Sequence, residues 1–292
     1  MSKSLIVVTG KNGQLGWEIN QITHQFNHLF DFVFVDKAEL DLSNPASIPT
    51  FFQKYQPSYF IHCAAYTAVD KAEIEQELAY NINAVSTGVI AQECAKMNCP
   101  LITISTDYVF DGNGTEPYAT HQPTNPLNQY GYTKCEGEKL ALKNWEKTIV
   151  IRTSWVYSTH AANFVKTMLR LMKERDEIKV VNDQFGSPTY AADLAAAILK
   201  VIQQLNEGNT HYGIYHYTNT GIISWYDFAA QIKAFAGLNC NVLPVPSTEY
   251  PTPAKRPIYS AMDTHEIVDD FRVQLVDWKT SLQDCIKELT VV

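Results

Sequence analysis

The first half of the chain alternates short, nearly continuous apolar runs with longer segments whose apolar residues recur every three or four positions. The runs are "SLIVVTG" (4–10), "DFVFVD" (31–36), "SYFIHCA" (58–64), "PLITIST" (100–106) and "TIVIRTSW" (148–155). Runs rich in β-branched residues and without polar alternation suit strands covered on both faces. Between them, segments such as "AEIEQELAYNINAVSTGVIAQECAKM" (72–97) carry helical spacing. Strand–helix alternation of this kind predicts right-handed βαβ units and an α/β fold, a Rossmann-type doubly wound parallel sheet.

Beyond residue 156 the pattern changes. Helical spacing appears at 163–175, 191–205, 224–237 and 277–289, with a short "KVV" (179–181), a strand-like "GIYHYTN" (213–219) and a proline-rich connection, "LPVPSTEYPTPAKRP" (243–257). These predict a smaller C-terminal α/β substrate lobe interleaved with the first domain. Residues 1–156 and 179–221 are assigned to the large doubly wound domain, and 157–178 and 222–292 to the smaller lobe.

Composition narrows the function. The chain has 292 residues, 46% hydrophobic and 18% charged, enough to bury a substantial core. Its net charge of −8 argues against a nucleic-acid partner. An anionic ligand must then be met by local groups such as helix N-termini and glycine loops. Six cysteines show no CxxC pair or metal-ligand spacing, which fits reduced thiols and a cytoplasmic setting. The opening apolar run lacks the pattern of a secretory leader, and no stretch reaches bilayer length, so no membrane partner is expected.

"VVTGKNGQLGWEI" sets Gly10, Gly13 and Gly16 directly after the first strand and at the start of a helix. Such glycines permit a tight turn and let backbone N–H groups approach a pyrophosphate. Asp36 ends the second strand, where an acid accepts hydrogen bonds from a ribose 2′-OH, as NADH requires. Lys37 beside it and Lys11 in the loop are suited to the 2′-phosphate of NADPH, so both cofactors remain open. Asp41 either reaches the adenine side or caps the helix that follows.

Tyr130 and Lys134 in "PLNQYGYTKCEGEK" lie four apart, one turn on the same helix face. With 16 tyrosines that spacing arises by chance about once, so context decides. Upstream, "STDYVFDG" puts Ser105, Thr106 and Asp107 at the C-terminal end of the fourth strand, the edge where open α/β sheets bind ligands. A neighbouring ammonium is expected to lower the tyrosine pKa. Tyr130 would then give a proton to a carbonyl oxygen as hydride arrives, and Thr106 would stabilise the charge that forms there.

The set "GKNGQLG", "CAAYTAVDKAE", "STDYVFDGNG", "PLNQYGYTKCEGE", "RTSWVY", "NFVKTMLRL", "NDQFGSPT", "GIYHYTN" and "YPTPAKRP" closely resembles the dTDP-4-dehydrorhamnose reductase family of extended short-chain dehydrogenase/reductases, over nearly the whole chain. The resemblance implies reduction of the C4 ketone of dTDP-4-dehydro-β-L-rhamnose with NADPH or NADH. It places a catalytic trio on Thr106, Tyr130 and Lys134. Cofactor contacts fall on Gly13, Gln14 and Leu15, on Asp36, Asp41 and Leu42, and on Ala65, Tyr66 and Thr67, with Gly10, Gly16, Ala64, Tyr130 and Lys134 beside them. Substrate contacts fall on Thr106, Asp107 and Trp155. Two further residues are assigned to the same cleft: Arg256, whose guanidinium forks onto phosphate oxygens or else is a surface residue, and Asn163.

Some family members join two subunits through Mg²⁺ held by glutamates. Glu18 and Glu288 are in place here, but the middle position is Ala192. A hard cation loses an oxygen ligand there, so no magnesium is expected and a homodimer is left open. Two rival functions share the trio or the fold: a nucleotide-sugar epimerase or dehydratase, and a non-catalytic nucleotide-binding regulatory subunit. A reductase forming the 6-deoxy-talose epimer would use the same trio.

Overall fold

The computed structural model describes residues 3–290. The five apolar runs become parallel strands β1 (Ser4–Thr9), β2 (Phe30–Val35), β3 (Tyr59–His62), β4 (Leu101–Thr106) and β5 (Thr148–Thr153). Helices α1 (Gln14–Ile22) and α2 (Ile48–Tyr55) follow the first two strands. The stretch read with helical spacing over 72–97 is helical but not continuous, and the helical region starts at Val69. It comprises α3 (Val69–Ala72), α4 (Gln76–Tyr80), a π-helical turn over Asn81–Val85, and α5 (Ser86–Lys96). The wider turn buries Asn83, a side chain that a regular helical repeat would have carried elsewhere.

The catalytic-helix candidate α6 (Gln129–Asn144) leads into β5. The chain continues through β6 (Val156–Tyr157), α7 (Phe164–Glu174), β7 (Glu177–Val181), β8 (Phe185–Gly186), β9 (Thr189–Tyr190), α8 (Ala191–Asn206) and β10 (Gly213–His216). It ends with β11 (Ile223–Ser224), α9 (Trp225–Ala236), β12 (Asn241–Val245), α10 (His265–Phe271) and α11 (Trp278–Thr290). The main sheet has the order β10-β5-β4-β3-β1-β2, every neighbour parallel. Because β2 and β3 flank β1 on opposite sides, the crossovers diverge there and open a crevice at the strands' C-terminal ends.

Apolar layers cover both faces of this sheet. Ile19 of α1, Ile198 and Ile202 of α8, and Ile267 and Phe271 of α10 pack on one side. Phe51 and Phe52 of α2, Ile90 of α5 and Ala141 of α6 pack on the other. The smaller lobe pairs β7 with β12 in parallel. Its core takes Met168 and Met172 of α7, Phe228 and Ile232 of α9, and Leu282 of α11.

Two expectations move. Residues 179–181, assigned to the large domain, lie in β7 and pair with the smaller lobe, whereas α10, assigned to the smaller lobe, packs its apolar face on the large core. The connection read as proline-rich begins inside β12. Pro244 fits a two-stranded pair because an edge position needs no amide donor on its open side.

One buried ion pair ties α6 to the sheet. Glu138 accepts from Arg152 Nε at 2.9 Å and Nη2 at 2.7 Å, with 5% and 2% of the side chains exposed. The guanidinium also donates to Thr120 O at 3.3 Å and lies over the Phe110 ring. Replacing Glu138 by Leu is expected to cost about 3–5 kcal/mol in chemical denaturation, because Arg152 would stay buried without a counter-charge. A Glu138→Leu/Arg152→Met double variant should recover part of that loss.

Candidate active site

β1 ends in a glycine turn built by close backbone approach. Gly10 has φ 77°, the left-handed region that glycine tolerates. At Gly16 an added Cβ would overlap the Gly10 carbonyl, so only glycine lets α1 start this close to the strand. Gly13 caps α1 with extended backbone and no side-chain partner. The first-turn N–H groups therefore meet no capping side chain, and the positive end of the helix dipole faces the crevice. This cradle of backbone N–H groups, which the close approach of Gly16 to Gly10 makes possible, fits a dinucleotide pyrophosphate.

A cavity of about 570 Å³ opens at the C-terminal ends of the strands. Gly10, Gly13, Gln14, Leu15 and Gly16 line one end, Ala64, Ala65 and Thr67 the middle, and Thr106, Asp107, Tyr130, Lys134 and Trp155 the other. A second hollow of about 200 Å³ shares Gly10, Gly13, Ala64 and Ala65 and extends past Asp36, Asp41 and Leu42. Together the two form a trough that carries the glycine cradle, Asp36 and Asp41, and Tyr130 and Trp155 on its walls. Cys63 and Tyr108 also line the large cavity. Cys63, just beyond the end of β3, could have been found from its place at the sheet edge, whereas nothing in the sequence marks Tyr108.

The proposed chemistry sits where α6 meets β4. Asn128 caps α6, its Oδ1 accepting from Gly131 N at 2.9 Å and its Nδ2 donating to Lys255 O at 2.8 Å. That cap aims Tyr130 and Lys134 into the cavity. Lys134 Nζ donates to Ile104 O at 2.7 Å. Burial lowers its pKa to about 8, against the pull of Glu138 one turn away. Thr106 Oγ1 accepts from Tyr108 N at 3.2 Å and donates to Asp107 Oδ1 at 3.0 Å.

Tyr130 departs from expectation. Burial raises its pKa to about 12, with a contact from the Thr106 hydroxyl acting the other way. A lowered value was expected from the Lys134 ammonium, but that group is turned onto a backbone carbonyl and desolvation of the phenolate dominates. Asp107 is fully enclosed, and burial pushes its carboxyl up to about 6 against the nearby Ser260 and Thr106 hydroxyls. Among the described residues its Oδ2 has no hydrogen-bond partner.

At the far end Asp36 is already engaged. It accepts from Asn12 Nδ2 at 2.5 Å and from Ala38 N at 2.9 Å, and Lys11 Nζ lies 3.4 Å away. Glu39, which the sequence reading missed, draws Lys11 to 2.9 Å. Asp41 takes both the amide and the hydroxyl of Ser43, at 2.9 and 2.7 Å; it closes a turn while still lining the smaller hollow.

Three assigned residues lie outside both cavity linings. Tyr66 donates its hydroxyl to Glu75 at 2.7 Å, and Asn83 brackets its backbone, accepting from its N–H at 2.8 Å and donating to its carbonyl at 3.1 Å. The same Asn83 amide donates to Thr133 at 3.0 Å, fastening this loop to α6. Asn163 caps α7 and donates to Gln14 and to Ser158 O. Arg256 is paired with Asp70 at 2.8 Å and donates to Ala254 O. Partners distant in sequence engage Asn163 and Arg256, and spacing alone cannot show which partners lie near.

Glu18 is buried and accepts from Ser158 Oγ at 2.6 Å; burial raises its pKa, with Glu288 and Asp193 adding to the rise. Asp193, next to Ala192, is held by Asn219 at 2.7 Å and by Ser281.

The RmlD substrate binding domain family matches residues 4–291. A dTDP-4-dehydrorhamnose reductase of Escherichia coli (strain K12) is 41% identical over 292 residues, covering 97% of each chain. A crystal structure of dTDP-4-dehydrorhamnose reductase from Bacillus anthracis in complex with NADP superposes with a TM-score of 0.92 at 40% identity, covering 98% of this chain and 100% of that one. A UDP-glucose 4-epimerase of Thermus thermophilus with NAD shares the fold, with a TM-score of 0.78 at 16% identity and 98% of each chain covered. The glycine cradle and the cavity at the strands' C-terminal ends are thus those of a chain that belongs to the RmlD family, the dTDP-4-dehydrorhamnose reductases.

Proposed function

We propose that this protein reduces the C4 ketone of dTDP-4-dehydro-β-L-rhamnose to dTDP-L-rhamnose, with Tyr130 as the proton donor. The observation that carries the reading is the convergence of Thr106, Tyr130 and Lys134 on the cavity that the glycine cradle also lines. NADPH or NADH, held along Gly10 to Gly16 and past Asp36, Asp41, Leu42 and Ala64 to Thr67, supplies the hydride. Both cofactors fit the reading, because Asp36 offers a carboxylate for a ribose hydroxyl while Lys11 and Lys37 lie beside it.

Reduction adds a hydride to carbon and a proton to oxygen. Tyr130 holds that proton at neutral pH, since burial keeps its pKa near 12. Thr106 has one hydroxyl proton, given to Asp107 in this structure; turned to the carbonyl oxygen, it stabilises the charge that develops there. The Lys134 ammonium, charged below about 8, offsets the tyrosinate that remains. Asp107 Oδ2, buried and unpaired, is an acceptor for a sugar hydroxyl.

Asn163 and Arg256 enter the reading in altered roles. Asn163 holds Gln14 at the cavity wall, and Arg256 reaches a phosphate by exchanging its Asp70 partner. The substrate partner is a dTDP-sugar, and a homodimer without bridging magnesium is compatible with Ala192. Six free cysteines, five of them buried, suit the cytoplasm. No described helix is long and apolar enough to cross a membrane.

The test is NADPH consumption with enzymatically generated dTDP-4-dehydrorhamnose, followed by NMR of the product. A rhamno-configured product supports the reading and a talo product redirects it. Cofactor binding without turnover favours a regulatory subunit. Tyr130→Phe is expected to lose about 10²–10⁴-fold in kcat; near-full turnover would refute the donor assignment. The pH profile should have two limbs. Lys134, with its pKa depressed to about 8, loses its charge above that pH and kcat falls. Asp107, with its pKa raised to about 6, loses its charge below that pH and KM for the sugar nucleotide rises.

A further inference from the structure

We infer that Trp225 is a positioning residue for the sugar end of the cavity: with Gly186 it clamps the Trp155 ring and so sets which face of the ketone is presented. The inference rests on the reductase reading above and concerns a part of the site which that reading leaves open.

Trp155 lines the cavity from an unusual backbone. Its φ is 48°, a left-handed region that strains a bulky residue and persists only where the surroundings over-determine it. Three contacts supply that determination. The preceding residue is pinned by Ser154 Oγ donating to Ser187 O at 2.7 Å. One face of the indole is covered by Trp225, ring centroids 3.5 Å apart and planes 8° from parallel. At its Nε1 edge lies Gly186, where an added Cβ would come within 2.9 Å of Trp155 Cε2 and 2.7 Å of Ser260 Oγ.

The two jaws of this clamp belong to one unit. β8, which carries Gly186, pairs antiparallel with β11, and Gly186 faces Ile223 two residues before Trp225. Trp225 opens α9 behind a reciprocal cap, Ser224 Oγ accepting from Asp227 N at 3.1 Å and Asp227 Oδ2 from Ser224 N at 3.0 Å. Phe164 then backs Trp225 with ring centroids 4.6 Å apart. The ring thus takes its position from the β8–β11 pair and α9, whereas Tyr130, Lys134 and the glycine cradle take theirs from α6 and the β1–α1 turn.

That division bears on stereochemistry. The proton donor and the hydride side are set by one body, so the configuration formed at C4 depends on how the sugar lies against the opposite wall. A half-turn of the sugar exchanges the two faces of the carbonyl. A rigid aromatic wall held from behind and at its edge admits one of these poses; a ring free to swing admits both.

The experiment compares Trp225→Ala, Trp225→Phe and Gly186→Ala with the unsubstituted enzyme. It measures kcat and KM separately for the sugar nucleotide and NADPH, NMR of the product, and near-ultraviolet circular dichroism for the stacked indoles. For Trp225→Ala and Gly186→Ala we expect kcat/KM for the sugar nucleotide to fall about ten- to hundredfold, as mispositioning does, with KM for NADPH unchanged and the C4 epimer appearing in the product. Trp225→Phe should keep most of the activity and a single product. Constants for both substrates moving together, or lower thermal stability with unchanged kinetics and one product, would overturn the inference. Should Trp225→Ala not fold, Gly186→Ala carries the same contrast. If the unsubstituted protein reduces no dTDP-4-keto sugar, the reductase reading fails by itself. Calorimetric affinity for dTDP-L-rhamnose then decides the clamp: selective weakening in the variants supports it, and equal affinities sink it.

Discussion

The seating of α6 against the main sheet is the constraint on which the site depends, and a buried pair of charges holds it. Glu138 and Arg152 meet through two hydrogen bonds with almost no solvent contact, so neither charge tolerates losing the other. Lys134 precedes Glu138 by one turn and feels its charge. The same helix is fixed at its start by the Asn128 cap and at its middle by the Asn83–Thr133 hydrogen bond. Tyr130 and Lys134 are therefore held at both ends of a short lever, which is what a proton donor within bonding distance of a carbonyl needs.

Burial drives the tuned groups around the cavity toward their neutral forms, and each shift bears differently on the proposed reaction. The Tyr130 phenol is pushed up and stays protonated, as a donor must. Lys134 is pushed down to about 8, near enough to neutrality for its charge to depend on the local field. Asp107, raised to about 6, is the one acid among the described residues that line the large cavity. In a low-dielectric pocket these charges are worth more to one another than they would be in water, so few of them suffice.

The two lobes share the work unequally. The large domain carries the glycine cradle and the proposed trio, each on the end of a strand or the first turns of a helix. On the opposite side Trp155, at the end of the large domain's first stretch, is backed by Trp225 and Phe164 of the smaller lobe. The chain passes between the lobes several times, so their boundary follows packing and not sequence order. β7 pairs with β12 far downstream, and α10 returns to the core of the large domain.

The five apolar runs, the glycine turn and the placement of Thr106, Tyr130 and Lys134 were legible in the sequence because they depend on local properties: β-branched runs, a missing Cβ, one helical turn, the end of a strand. The engagement of Asn163, Arg256 and Tyr66 was not. Their partners, Gln14, Asp70 and Asn83, lie between 17 and 186 positions away, and spacing carries no record of them. The direction of the Tyr130 shift was hidden likewise, since it depends on how much water the assembled lobes exclude. The amino-acid sequence by itself determined which groups are available for the chemistry. Only the tertiary structure decided which are already paired, which are desolvated and which face the cavity, because these properties arise between segments that no local pattern connects.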